Sequence, residues 1–165
     1  MEAALAGVRE QARQEQGVAL RAARRTAYGE FLGQIEMVRM AIDRALDVIE
    51  RRVKAVEYER AMGMSASTPD WPATRVRMES SVNDLWFRHS ALRLYADDRI
   101  ADEAEQLVRI ARTAADEFDL VDDALNEDYS PEPHYTSIRE GVARLKAGTS
   151  AWADAAVAGL EQPLP

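Results

Sequence analysis

The sequence predicts an all-α fold, an antiparallel up-down four-helix bundle whose first helix extends beyond the core. Three stretches repeat apolar residues at alternating steps of four and three, which places each set on one face of a helix. The first set is Tyr28, Phe31, Ile35, Val38, Ile42, Ala45 and Ile49. The second is Ile100, Ala104, Leu107, Ala111, Ala114, Phe118, Val121 and Leu125, and the third is Tyr135, Ile138, Val142, Leu145, Thr149, Trp152 and Ala156. Short connections between the helices favour the up-down order.

The first predicted helix runs without a proline over residues 4–61, and Gly63 is expected to end it as a C-cap. Its core face is regular only from Tyr28 onward, because glutamines interrupt the apolar spacing before that point. We therefore predict a chain of three parts: a projecting helical arm over residues 1–25, the bundle over 26–160 and a short tail over 161–165.

The second predicted helix follows the clearest break in the chain, residues 65–72, where Thr68 or Asp70 is expected to cap it. Its core face is marked by Met78, Val82, Leu85, His89 and Leu92. The apolar spacing then slips out of phase, and an Asp97-Asp98 pair resembles a helix N-cap, so we predict a turn at about residues 95–98. No glycine or proline lies there, which leaves the alternative of one continuous helix and three long helices in all.

The third helix is expected to end near Asn126, since the segment Tyr129–Pro133 contains two prolines and residues before proline avoid the α region. The last helix is predicted over residues 133–159. The predicted turns before and after the third helix, at residues 95–98 and 129–133, are short, so consecutive helices should run antiparallel.

The net charge of −8 over 165 residues is unevenly distributed. Residues 97–128 hold twelve acidic residues against three arginines, a local net charge of −9. This imbalance argues against binding to nucleic acid, which needs a basic surface. The stretch is explained either as a solvated helix face or as a docking surface for a basic partner.

No apolar run approaches the length of about 20 residues that a membrane span requires. The N-terminus reaches polar residues too early for a signal peptide, so we expect a soluble, cytoplasmic protein. The chain has no cysteine, which excludes disulfides, thiolate metal sites and cysteine nucleophiles.

The sequence contains few motifs that are typical of catalysis or metal binding. A ferritin-like di-iron site needs two Glu-x-x-His pairs, whereas the only histidines, His89 and His134, follow Trp86 and Pro131 at that spacing. We expect His89 in the core and His134 in solvent, and no cofactor. Asp98, Asp102 and Glu105 are the candidate metal ligands, because carboxylates at this helical spacing can share a divalent cation with a phosphate group.

A nine-residue segment, Arg24-Arg25-Thr26-Ala27-Tyr28-Gly29-Glu30-Phe31-Leu32, resembles the Arg-Arg-x-Ala-Tyr-x-x-Phe-Leu signature of small, uncharacterised helical proteins from actinobacteria. The stretch 94–107 and the alanine-rich last helix are also similar to that group, so the resemblance covers residues 21–160. Many of those proteins carry a transmembrane helix before the arginine pair. This chain has a polar segment there instead, so the resemblance does not imply membrane anchoring. It implies no catalytic residues.

Two surface features remain unexplained by a bundle core. On the first helix, Gly29, Gly33, Met37 and Met40 lie opposite the core face, and they fit either close packing inside the bundle or contact with another helix. Gly141 and Gly148 of the last helix favour close packing inside the bundle. On the second helix, Val76, Phe87 and Leu94 lie about 180–200° from the core direction, with Ser80, Asn83 and Ser90 between them.

We therefore predict a non-enzymatic protein that acts through protein–protein contacts. The expected partner is a second copy of the chain, in a homodimer or a larger homo-oligomer, with the N-terminal arm as a possible contact for another protein. The alternative function is a small metal-dependent phosphohydrolase that uses the acidic residues of the third helix.

Overall fold

The computed structural model describes residues 2–63, 70–127 and 129–161, and omits the side chains of residues 2–6 and 8. Its helices are α1 (Glu2–Met62), α2 (Trp71–Leu92), α3 (Asp98–Glu127) and α4 (Glu132–Glu161). The predicted all-α four-helix bundle is confirmed, and no strand occurs among the described residues. The three-helix alternative is wrong, because residues 93–96 form a turn between α2 and α3.

Side chains and backbone set the helix ends as the sequence predicts. Gly63 adopts a positive φ of 65° and its N–H donates to the Glu59 carbonyl oxygen. The Asp70 carboxylate accepts from the Ala73 N–H at 3.2 Å, whereas the other candidate cap, Thr68, lies outside the described residues. Asp97 caps α3 by accepting from the Ile100 N–H at 3.0 Å.

The helices pack antiparallel in chain order around one core. Contacts between α3 and α4 pair Glu117 with His134 near one end, and Ile100 with Trp152 near the other. The predicted core faces are buried in all four helices, with Val142 half-buried. The Trp152 Nε1–H donates to the Ile100 carbonyl oxygen at 3.0 Å, and its ring packs edge-on against Phe31. His89 is also buried, with Nε2 lying 3.2 Å from the Ala101 carbonyl oxygen.

Two glycines of α4 allow close approach of α3. A Cβ atom at Gly141 would lie 3.0 Å from the Ala114 Cβ, and one at Gly148 would lie 2.7 Å from the Leu107 Cδ2. These distances are shorter than ordinary contacts between carbon atoms, which lie at about 3.5–4.0 Å. The expectation that these glycines serve packing within the bundle is therefore confirmed.

The N-terminal part of α1 has few contacts with the bundle. Residues 9–22 are exposed apart from Gly17, which is half-buried. The first long-range hydrogen bond after them runs from the Arg24 Nε–H to the Tyr95 carbonyl oxygen, at 2.8 Å. The division into arm, bundle and tail stays a prediction. Residues 162–165 of the tail lie outside the described residues, and α4 reaches Glu161.

Candidate functional site

The side of α2 that faces away from the core carries exposed apolar residues. The exposed fraction is 63% for Val76, 63% for Phe87 and 76% for Leu94. Ser80, Asn83 and Ser90 are exposed between them. We call these six residues the outer stripe. Leu94 lies two residues beyond the end of α2, in the turn that leads to α3, so the outer stripe continues past the helix.

The glycine–methionine face, Gly29, Gly33, Met37 and Met40 of α1, is also exposed. A Cβ atom at Gly29 or at Gly33 would meet no atom within 4 Å. Close packing inside the bundle therefore does not explain these two glycines. Met37 and Met40 line a cleft of about 240 Å³ together with Arg77 of α2, which connects the glycine–methionine face to α2.

Contacts between α1 and α2 place these two features side by side. Arg88 Nη1 lies 2.8 Å from Glu30 Oε2, and the Gln34 side-chain amide donates to the Ser81 carbonyl oxygen at 3.0 Å. Gly33 is consequently level with the middle of α2, between Ser81 and Arg88. Phe87 of the outer stripe and Gln34 of α1 line one small cleft, so the outer stripe and the glycine–methionine face lie on neighbouring helices at the same level.

Trp86, next to Phe87 in sequence, adds to the exposed aromatic surface. Its side chain is 49% exposed, and its ring contacts Phe87 edge-on with a centroid distance of 5.4 Å. The sequence reasoning missed this residue because it lies between the core face and the outer stripe of α2. The adjacent aromatic pair in the sequence was the available signal.

The candidate metal ligands do not form a metal site among the described residues, where no group of three or more histidine, aspartate or glutamate side chains is arranged to hold a metal ion. Asp98 lies in the first turn of α3 and Asp102 is exposed. Glu105 accepts a hydrogen bond from Arg109, and this bond and the two positive charges of Arg109 and Arg93 help to lower the pKa of the Glu105 carboxyl.

His134 is not in open solvent as predicted, because it is half-buried against α3. Its Nδ1 lies 2.8 Å from Glu117 Oε2, and the Ser137 hydroxyl donates to Glu117 Oε1 at 3.1 Å. The hydroxyl therefore contacts the carboxylate and not the imidazole. A serine nucleophile needs a hydrogen bond to its general base, so this trio joins α3 to α4 without forming a catalytic triad.

Comparisons with protein-family models, curated proteins and solved structures find no match to this chain. The resemblance to actinobacterial helical proteins accordingly stays a prediction. Among the described residues, no helix is both long and apolar enough to cross a membrane.

Proposed function

We propose that this chain is a non-enzymatic interaction protein that associates with a second copy of itself through the outer stripe of α2 and the adjoining glycine–methionine face. The self-complementary order of residues along the outer stripe is the observation that supports this most strongly. We further propose that the chain is cytoplasmic and that its N-terminal arm binds another protein.

The outer stripe reads nearly the same in both directions. Its residues follow steps of four and three, and apolar residues occupy both ends. When two copies pack antiparallel across a two-fold axis, each end of the outer stripe in one copy contacts the opposite end in the other copy. The facing pairs are then Val76 with Leu94, Ser80 with Ser90, and Asn83 with Phe87 of the second copy. The small serines allow the two helices to approach closely.

The glycine–methionine face enlarges the surface available to the second copy. A stable interface buries about 800 Å² on each partner, which is more than three apolar side chains of α2 provide. Gly33 is level with the middle of α2, so the two-fold axis that relates the α2 helices places Gly33 of both copies at the same level along the helices. The missing Cβ atoms and the flexible Met37 and Met40 side chains suit close contact there.

Engineered disulfides test the arrangement directly, because the chain contains no cysteine. Ser80→Cys combined with Ser90→Cys should form a covalent dimer on mild oxidation, since these positions face each other across the two-fold axis. Each single variant is the control, because its cysteine lies about 15 Å along the helix from the same cysteine in the second copy. Equal cross-linking by all three variants would contradict the antiparallel register.

The oligomeric state tests the proposal as a whole. Phe87→Glu with Leu94→Glu should give a folded monomer by light scattering, with helical circular dichroism retained. Leu120→Glu with Val157→Glu is the matched control, because both residues are exposed apolar side chains on other helices. A wild-type protein that is monomeric at high concentration would overturn the proposal. Unfolding of the Phe87/Leu94 variant would show that these residues belong to the core.

A further inference from the structure

A second cleft, with a volume of about 310 Å³, lies between α2 and α3, on the side of α2 away from α1. Its charged side chains are Arg93, Arg109, Arg112 and Glu105. Three guanidinium groups against one carboxylate leave a net charge of +2. The cleft is therefore positive, although residues 97–128 as a whole carry a net charge of −9.

Glu105 holds two of the arginines at the cleft. One carboxylate oxygen accepts from the Arg109 guanidinium, and the other lies 3.9 Å from Arg93 Nη1. These contacts place guanidinium groups from α3 and from the turn after α2 around one carboxylate. Arg112 has no ion pair within the part of the chain that the structure describes. Arg112 also lines a neighbouring cleft with Glu79 and Asp116, but it makes no ion pair with either of them, so its guanidinium group can turn to an anion in this cleft.

Trp86 supplies an aromatic wall beside Arg112. Both residues line this cleft and also the neighbouring one that contains Phe87. An indole that is half-exposed can stack on a planar ring or on a guanidinium group. Arginine in turn binds carboxylate and phosphate groups through two parallel hydrogen bonds. The cleft thus combines a surface for a ring with donors for an anion.

We propose that this cleft binds a small organic anion in which a carboxylate or phosphate group is attached to a planar ring. The anionic group lies between Arg112 and the Arg93–Arg109 pair, and the ring stacks on Trp86. The volume is at the lower end of the range for ligand sites, about 300–1,000 Å³, so the ligand is the size of a nucleoside monophosphate or smaller. The proposal does not rest on self-association.

Calorimetric titration of the full-length protein at low salt tests the ligand class. The probes are AMP and benzoate, which combine ring and charge, with adenosine as the uncharged ring and inorganic phosphate as the charge alone. AMP or benzoate should bind one site about tenfold more tightly than adenosine or phosphate, a difference of about 1.4 kcal/mol. Benzoate is also compared with phenyl phosphate, which carries the same ring, and the tighter of these two identifies carboxylate or phosphate as the preferred anionic group. If neither AMP nor benzoate binds at millimolar concentration, the proposal is wrong.

Variants show whether the binding occurs in this cleft. Arg112→Ala should weaken binding about tenfold, by about 1.4 kcal/mol, whereas Arg144→Ala, at an exposed arginine of α4, should leave it unchanged. Trp86→Ala should reduce the affinity of the ring-bearing probe to that of its anionic group alone. Glu105→Gln should tighten binding, because it removes the carboxylate that competes for Arg93 and Arg109. Equal binding by the Arg112→Ala and Arg144→Ala variants would overturn the proposal, provided that both retain helical circular dichroism.

Discussion

Replacement of Gly141 by alanine tests how closely α3 and α4 pack. The added Cβ would lie 3.0 Å from the Ala114 Cβ and 3.8 Å from its Cα. Both neighbours are fixed to the backbone of α3, so no side-chain rotation can relieve the contact. The helices must separate or shift by about 0.5–1 Å to restore an ordinary distance between carbon atoms.

The expected loss of stability is the difference between two effects. Alanine is favoured over glycine in a helix by about 1 kcal/mol. Overpacking by one methyl group in a close-packed interior costs about 1–3 kcal/mol. Gly141→Ala should therefore lower the free energy of unfolding by about 1 kcal/mol, which corresponds to a fall in melting temperature of about 2–4 °C.

Urea denaturation followed by far-UV circular dichroism measures this change. Both variants are compared in the Phe87→Glu/Leu94→Glu background, so that the proposed interface does not contribute. Gly29→Ala is the matched control there, because a Cβ at this position meets no atom within 4 Å, and it should raise the free energy of unfolding by up to about 1 kcal/mol. Adding Ala114→Gly to Gly141→Ala moves the methyl group to the other helix and should restore near-wild-type stability. If Gly141→Ala is as stable as Gly29→Ala, the close approach of α3 and α4 is refuted.

Three further predictions concern the arm, a buried tyrosine and the metal question. Deletion of residues 1–20 should leave the melting temperature nearly unchanged, and a fall of about 4 °C or more would show that the arm packs on the bundle. Burial raises the pKa of the Tyr135 hydroxyl, which has no hydrogen-bond partner among the described residues. Because the folded state disfavours the ionised hydroxyl, the wild type should lose stability as the pH rises above about 10. Tyr135→Phe should lose less, and it should be at least as stable at neutral pH; a greater alkaline loss in the variant would contradict this. Millimolar Mg²⁺ should not shift the melting temperature, whereas a concentration-dependent rise would favour a metal site at Asp98, Asp102 and Glu105.

The fold was predictable because the signals that determine it are local. Apolar residues at steps of four and three identify the buried face of each helix without any knowledge of its neighbours. The turn after Leu92 was also readable, because the apolar spacing changes phase there and Asp97 offers a cap. The same angular reasoning placed Val76 and Phe87 on an exposed face. It treated Leu94 as helical, whereas α2 ends before that residue.

The cleft between α2 and α3 could not be predicted in this way. Two of its arginines belong to α3 and the third to the turn after α2, and helical periodicity does not determine how these elements are oriented against each other. The net charge of residues 97–128 also gave no sign of the cleft, because the twelve acidic residues outweigh Arg109 and Arg112 in the sum. The environment of His134 was missed for the same reason, because Glu117 belongs to a different helix.

The two surfaces proposed here meet at consecutive residues of α2. Neighbouring positions on a helix point about 100° apart, so Trp86 lines the cleft with α3 whereas Phe87 belongs to the outer stripe. Their rings nevertheless touch, with a centroid distance of 5.4 Å. A shift of the Trp86 ring on anion binding would therefore move Phe87 and change the affinity of self-association. Thermodynamic linkage then requires self-association to change the affinity for the anion by the same factor. A variant that alters only one of the two rings separates the surfaces, because Trp86→Ala removes the stacking wall but leaves the apolar outer stripe in place.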